Sequence, residues 1–324
     1  MLGPVTTPQS ARAVSAPTHG DLDAAWSTVR QHLAPSPVDL GAGTVEDPVL
    51  KLENLHPTGS FKVRGALNAL GALDPGIPVV TASAGNHGLG VAFASRALGR
   101  SATVVVATTA SPAKVDQLRR LGVDLVETGT SYDDAEAHAL GLAAEGARFL
   151  SGYNDAAVIA GQGTIGLELD DQLTGPLTVV CGVGGGGLAS GLGLWASRRP
   201  DVRVVGVEAE VSTAVSAAVA AGHQVPVPVG ETLADGMAGN IEPGSVTVDL
   251  VARYVDELVT VREAEIRSAI RYLAGERGYV AEGAGAVPVA ALRAGKVAVH
   301  GRPVAVVSGR NIALPTLAAV LAGT

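Results

Sequence analysis

Residues 177–188 read Leu177-Thr178-Val179-Val180-Cys181-Gly182-Val183-Gly184-Gly185-Gly186-Gly187-Leu188. A continuous apolar run, the kind covered on both faces of a parallel sheet, meets four consecutive glycines and then a small-residue helical pattern. The spacing predicts a strand over 177–183 and a helix over 188–197. Glycines let the turn bring backbone N–H groups close to an anion, and the helix start adds positive potential. No Gly-Lys-Ser/Thr follows, so the turn is not a Walker loop. A dinucleotide fingerprint fits poorly, because the acidic partner expected about 20 residues on is ambiguous between Asp201 and Glu208.

The same alternation extends in both directions. Further strands are expected over 78–81, 102–107, 124–127, 202–207 and 303–308. Helices are expected over 88–98, 111–121, 132–146 and 156–173. Ser111-Pro112 reads as an N-cap with proline at the first helical position, and Asp155 as the N-cap of the 156–173 helix. Strand–helix alternation of this kind implies an α/β fold with crossover connections. The run Val225-Pro226-Val227-Pro228-Val229-Gly230 suits an extended linker or an edge.

Composition narrows the function. The chain has 324 residues, 47% hydrophobic and 17% charged, with 42 glycines, so it has ample core. Aromatics are only 3% and the net charge is −8, which argues against nucleic acid as a partner. The single cysteine, Cys181, rules out an internal disulfide. No uninterrupted apolar stretch approaches membrane-spanning length, and residues 1–20 lack a basic start followed by an apolar run. A cytoplasmic protein with a flexible tail over residues 1–20 is expected.

Two more segments carry chemistry. Pro57-Thr58-Gly59-Ser60-Phe61-Lys62-Val63-Arg64-Gly65-Ala66 places a lysine at the start of a small-residue helix. A partly desolvated lysine loses its proton readily and can form a Schiff base with an aldehyde such as pyridoxal phosphate (PLP). Thr81-Ala82-Ser83-Ala84-Gly85-Asn86-His87-Gly88 lies between an expected strand and helix, where Ser83, Asn86 and backbone N–H groups suit a carboxylate.

Together these segments resemble the fold-type-II PLP enzymes, specifically the threonine/serine dehydratase and serine racemase family. The resemblance runs from about Asp47 to Leu314. It includes Val158-Ile159-Ala160-Gly161-Gln162-Gly163-Thr164, Glu282-Gly283-Ala284-Gly285-Ala286 and Ser308-Gly309-Arg310-Asn311. It implies a two-domain, tryptophan synthase β-like α/β fold with twisted, mostly parallel sheets flanked by helices. Residues 1–65 and 154–324 would form the large PLP-binding domain, and 66–153 a small mobile domain bearing the carboxylate loop. Lys62 would be the catalytic Schiff-base lysine, with Phe61 beside the ring and Asn86 on the ring hydroxyl. Asn154 would line the cofactor. Gly184, Gly185, Gly186, Gly187 and the Leu188 N–H would hold the phosphate, and Ser308 would face the pyridine nitrogen. Ser83, Ala84, Asn86 and His87 would clamp the substrate carboxylate.

The implied reaction is β-elimination from a β-hydroxy amino acid, L-threonine or L-serine first, giving a 2-oxo acid and ammonia. A neutral Ser308 hydroxyl would not keep the pyridine nitrogen protonated as a carboxylate would, which suits elimination over reactions that store more carbanion charge. Racemases of this family carry a serine where Ala84 stands, and racemisation needs a second acid/base opposite the lysine. Elimination is therefore favoured; a racemase, or a dehydratase for 3-phenylserine or 3-hydroxyaspartate, is the alternative. Arg310, where the family often has glycine, would favour an acidic substrate or point to solvent. The family's cation site pairs a glutamate with an aspartate six residues on. Here Glu208 is followed by Ala214, so no metal is expected. Glu282 and Asp235 have no assigned role. No regulatory domain is expected beyond the Ser308 strand. A homodimer or homotetramer acting on a small-molecule amino acid is implied.

Overall fold

The computed structural model describes residues 12–323. Two sheets share the strands. The larger is built from β1 (Val38–Asp39), β2 (Val49–Lys51), β7 (Leu177–Gly182), β8 (Val202–Ala209), β9 (Glu257–Val261) and β10 (Arg302–Val306), in the order β1-β2-β10-β7-β8-β9. Only the β1–β2 pairing in it is antiparallel. The smaller contains β3 (Val79–Ala82), β4 (Ala102–Val106), β5 (Asp124–Glu127) and β6 (Arg148–Phe149), all parallel, in the order β5-β4-β3-β6.

The helices are α1 (His19–Val29), α2 (Lys62–Gly71), α3 (Asn86–Leu98), α4 (Pro112–Leu121), α5 (Tyr132–Ala144), α6 (Ala156–Gln172), α7 (Gly187–Ala196), α8 (Ala214–Ala221), α9 (Thr247–Tyr254), α10 (Glu263–Gly275), α11 (Gly283–Arg293) and α12 (Leu314–Ala322). Single 3-10 turns occur at Glu53–Leu55 and Asp235–Met237. This is the expected α/β class, parallel-dominated sheets flanked by helices.

The apolar runs form central strands because both sheet faces are covered. In β7, Val179 and Cys181 enter one core cluster and Val180 the opposite one. In β10, Val304 and Val306 face the first cluster and Ala305 the second. Val104 and Val106 of β4 likewise oppose Val105 across the smaller sheet. Successive residues on a strand point to opposite faces, so a strand buried on both loses its polar alternation.

Local chemistry sets several ends. Pro112 opens α4, the Asp155 carboxylate accepts from the Ala157 and Val158 N–H groups, and Ser131 with Asp134 forms a capping box on α5. Some expectations shift. α3 begins at Asn86 rather than Gly88, α7 takes in Gly187, and β10 stops at Val306, leaving Ser308 in the following loop. The stretch 225–230 joins no sheet; Val227 pairs both its backbone groups with the Asn240 side chain. Of the tail expected over 1–20, residues 1–11 lie outside the described residues. The remainder is ordered: Thr18 and Asp21 form a capping box on α1, and Arg12 forms an ion pair with Glu242.

One buried polar network ties these elements together. Lys51, Glu53, Arg64 and Glu168 are each at most 2% exposed. The Arg64 guanidinium donates to Glu53 at 2.7 and 2.8 Å and to Glu168 at 2.7 and 2.8 Å. Lys51 Nζ donates to Glu168 at 2.6 Å, to Gln172 and to the Ser36 carbonyl. Burial works to raise the Glu53 pKa, but Arg64 and His56 outweigh it and hold the carboxyl well below its usual range. Removing one partner strands charge in the interior. Glu168→Ala is expected to cost about 3–5 kcal/mol in urea unfolding; a loss under about 1 kcal/mol would mean that the remaining groups re-pair without it.

Candidate functional site

Lys62 is the first residue of α2, and its position is set from both sides. The Phe61 N–H donates to the Ser308 carbonyl at 3.0 Å, and Ser60 bridges Gly309. This backbone pairing joins two segments almost 250 residues apart in sequence and brings Lys62 beside Ser308. The ammonium donates to the Gly152 carbonyl at 2.6 Å and lies 5.2 Å from the centre of the Phe61 ring. Desolvation lowers its pKa to about 8, against the opposing charge of Glu282.

A cavity of about 760 Å³ opens at this lysine. Phe61, Lys62, Ser83, Ala84, Asn86, His87, Gly184, Gly185, Gly186, Gly187, Leu188 and Ser308 all line it. Of the candidates from the sequence, Asn154 does not. It is fully buried behind the wall, where its Oδ1 accepts from the Val246 N–H at 3.0 Å. The neighbouring Tyr153 takes the wall position instead.

Tyr153 explains part of the glycine turn. A Cβ on Gly185 would sit 2.3 Å from the Tyr153 ring, and one on Gly187 would sit 2.9 Å from the Tyr153 Cα. A Cβ on Gly184 would meet Met237 at 2.9 Å, and Gly186 adopts φ +85°. Thr247 donates its hydroxyl to the Gly185 carbonyl at 2.7 Å. Tyr153, Met237 and Thr247 thus pack against the turn, Tyr153 and Met237 lining the cavity together with its backbone, and the turn leads into α7. Such a turn suits an anionic phosphate.

On the opposite wall, the Ser83–His87 turn enters α3. The Asn86 amide donates to Glu282 at 2.6 Å and accepts from Asn311 Nδ2 at 2.6 Å. Desolvation raises the buried Glu282 pKa to about 7, although the Asn86 hydrogen bond opposes the shift. His87 shares Nε2 with the Leu150 carbonyl at 3.1 Å, so that nitrogen carries the proton; Nδ1 is buried without a partner. Burial, with the Lys62 charge nearby, lowers the His87 pKa to about 3, and the ring is neutral. Ser308 offers its hydroxyl toward the Ala284 carbonyl at 3.4 Å.

Glu282, Asn311, Tyr153 and Thr247 were not assigned roles from the sequence. Glu282 and Asn311 lie in the quoted motifs Glu282–Ala286 and Ser308–Asn311, so a signal was present. Arg310 is half-buried: its guanidinium donates to the Asn54 carbonyl, and it does not line the cavity. Glu208 is buried and accepts from the Val215 N–H and the Ser216 N–H and hydroxyl, fastening the start of α8. Among the described residues, no helix is long and apolar enough to cross a membrane.

Residues 29–309 match the family of pyridoxal-phosphate dependent enzymes. The chain belongs to the pyridoxal-phosphate-dependent enzymes. An L-threonine ammonia-lyase of Thermotoga maritima is 45% identical over 269 residues, covering 81% of this enzyme and 67% of that protein. The processed form of threonine deaminase isoform 2 from Solanum lycopersicum superposes with a TM-score of 0.86 at 31% identity, covering 99% of each chain. Maize serine racemase gives 0.86 at 27% identity, covering 95% of this enzyme and 98% of that chain. The cavity fits the cofactor: a desolvated amine, a turn of four glycines and a neutral hydroxyl converge on one space.

Glu282 generates a pH test of the enzyme without cofactor. A carboxyl at about 7 when folded, against 4.5 ordinarily, keeps its proton where the unfolded chain has lost it. Its contribution is full below about pH 4.5 and is lost as pH rises through 7, roughly 3 kcal/mol in all. Urea unfolding at pH 5 and pH 7.5 is expected to show a smaller fall for Glu282→Gln than for the native protein. Equal falls would mean that Glu282 titrates as an ordinary carboxyl.

Proposed function

We propose that this enzyme is an ammonia-lyase that removes the β-hydroxyl and then the amino group of L-threonine or L-serine, giving a 2-oxo acid. The observation that carries the reading is that the Lys62 amine, the Gly184–Gly187 turn and the Ser83–His87 turn, with methyl-bearing Ala84 in it, face one cavity. When bound, PLP supplies an electron-withdrawing ring that acidifies the substrate α-hydrogen and lets the β-substituent leave.

In this reading, the Lys62 amine holds the cofactor aldehyde and, once released, takes the proton from the substrate α-carbon. Its depressed pKa keeps a useful fraction neutral near pH 7. The N–H groups of Gly184–Leu188 would hold the phosphate, and Ser308 would take the pyridine nitrogen. Ser83, Ala84, Asn86 and His87 receive the substrate carboxylate, largely through backbone N–H groups. Asn86, already fixed between Glu282 and Asn311, is pre-set to meet the ring hydroxyl.

Two features support elimination of a neutral substrate. Ala84 has no proton to exchange, and His87 beside it is neutral with its one N–H committed to Leu150. At position 84, where racemisation would call for a hydroxyl on the second face, the turn offers only a methyl group. The cavity wall carries the carboxyls of Asp133, Glu136, Asp235, Glu242 and Glu282 against the cations Lys62 and Lys114, with Lys114 paired to Asp235 and Arg12 to Glu242, while the Arg310 guanidinium donates to the Asn54 carbonyl. Such a wall disfavours a substrate with a second carboxylate.

The reading extends to the assembly. Residues 66–153, which contain every strand of the smaller sheet, form the small mobile domain, and 1–65 with 154–324 form the large one. The Lys114–Asp235 ion pair at 3.2 Å spans the cleft between them and would close with it. The enzyme works as a homodimer or homotetramer in the cytoplasm.

Release of 2-oxo acid from L-threonine, L-serine, D-serine, L-threo-3-hydroxyaspartate and 3-phenylserine tests the reading. L-threonine or L-serine is expected to be best, hydroxyaspartate about tenfold or more lower in kcat/KM, and Lys62→Ala inactive. No oxo acid from any substrate, or faster conversion of L-serine to D-serine, would overturn it. A second test follows from the lysine. An amine is nucleophilic only when neutral, so capture of PLP by the cofactor-free enzyme should quicken with pH and level off near pH 8. A rate still climbing toward pH 10 would show an ordinary lysine.

A further inference from the structure

Arg12 lies far from Lys62 in the chain, yet it grips the cavity wall. Its guanidinium holds both oxygens of Glu242, with Nη2 at 2.7 Å from each and Nε at 3.0 Å from Oε2. It lies 4.8 Å from the centre of the Phe149 ring and donates to the Asn154 carbonyl at 3.4 Å. The pair is mostly buried, with side-chain exposures of 24% and 18%. Glu242 lines the cavity.

Glu242 is coupled to the glycine turn through one side chain. Its N–H donates to the Tyr153 hydroxyl at 2.8 Å, and the Tyr153 ring packs against Gly185. The Glu242 backbone therefore stands one tyrosine ring away from the turn. The Ser151 hydroxyl also donates to Glu242, at 3.2 Å, but brings no charge. Among the described residues, Arg12 is the cation paired with this carboxylate.

We propose that Arg12 is a positioning residue for cofactor binding: it neutralises Glu242, so that a phosphate can settle on the Gly184–Gly187 turn beside it. The inference rests on the reading that this turn takes the cofactor phosphate. A phosphate brings up to two negative charges to a wall that already carries carboxylates, and a partly buried like charge is poorly screened. The bidentate fork of arginine suits the task, since it cancels the charge and fixes the carboxylate plane. Its stacking on Phe149, in the smaller sheet, anchors the fork while the Glu242 segment belongs to the other side of the cleft. The harm in losing Arg12 is then the stranded carboxylate rather than the lost contact.

The test is titration of the cofactor-free enzyme with PLP, followed by absorbance, for the native chain, Arg12→Gln, Glu242→Gln and the double variant, with thermal melting of each as a fold check. Arg12→Gln is expected to weaken PLP binding about tenfold or more. Glu242→Gln should bind at least as tightly as native, and the double variant should recover to within about threefold of native. Arg12→Lys, which keeps the charge, should bind more tightly than Arg12→Gln and serves in its place if the neutral variant does not fold; there, a Lys variant as tight as native supports the inference and one as weak as an unneutralised carboxylate implies overturns it. Unchanged binding in Arg12→Gln, or a double variant as weak as the single, would overturn the proposal. Failure of the native chain to capture PLP would instead sink the reading beneath it.

Discussion

The Arg64 fork between Glu53 and Glu168 is the constraint on which the site depends. It sits two residues beyond Lys62 and joins the turn after β2, the first turn of α2 and the C-terminal part of α6. With α2 pinned there, and with Phe61 bonded to the Ser308 carbonyl, the direction of Lys62 is decided before any cofactor arrives. A buried ion network of this kind gives little net stability over an apolar core of the same volume. What it contributes is a single geometry: the carboxylate oxygens are shared among Arg64, Lys51 and Ser36, and a register slip of α2 would break several of these bonds at once. The same desolvation that makes the network costly surrounds Lys62 and lowers its pKa.

Close packing of α2, α6 and α7 does the rest, and it explains why glycine is so frequent. A Cβ on Gly65 would lie 2.5 Å from Gln162, and one on Gly161 2.7 Å from the Gly65 Cα. Across the next contact, a Cβ on Gly163 would lie 2.7 Å from the Gly191 carbonyl, and one on Gly191 2.5 Å from that of Ile159. The lysine-bearing helix therefore rests backbone-to-backbone on α6, and α6 rests so on the helix that follows the glycine turn. Amine and anion turn are held in one rigid stack, with no long side chain between them to adjust.

Much of this was legible in the sequence, for identifiable reasons. Central strands such as β4, β7 and β10 announce themselves because burial on both faces leaves an unbroken apolar run. β1, β2 and β6 span two or three residues, too few for any period, and β9 is a half-buried edge. α1 carries a mixed polar and apolar sequence with no clear period, although Thr18-x-x-Asp21 is a capping signal. In the site, motif position picked out Lys62, the glycine turn and Ser308, which the fold brings to one cavity. It misplaced Asn154, since adjacent residues in a loop need not face the same way, and Tyr153 is the one against the glycines. Partnerships across the fold, such as Asn86 with Glu282 or Arg310 with the Asn54 carbonyl, join residues about 200 or more apart and leave no local pattern.

The proton inventory of the cavity follows from a single cause. Burial penalises whichever form of a group is charged. It pulls Lys62 down to about 8 and His87 to about 3, and it pushes Glu282 up to about 7. Near neutral pH the histidine is then an inert ring bound to the Leu150 carbonyl, and Glu282 is poised between its two forms beneath Asn86. Lys62, beside the Gly152 carbonyl, keeps a pKa close enough to neutrality both to give up and to regain a proton. The lysine side thus carries a group that can exchange a proton near neutrality, whereas position 84 in the Ser83–His87 turn carries only a methyl group. The proposed elimination rests on that asymmetry between Lys62 and Ala84 more than on the glycine turn.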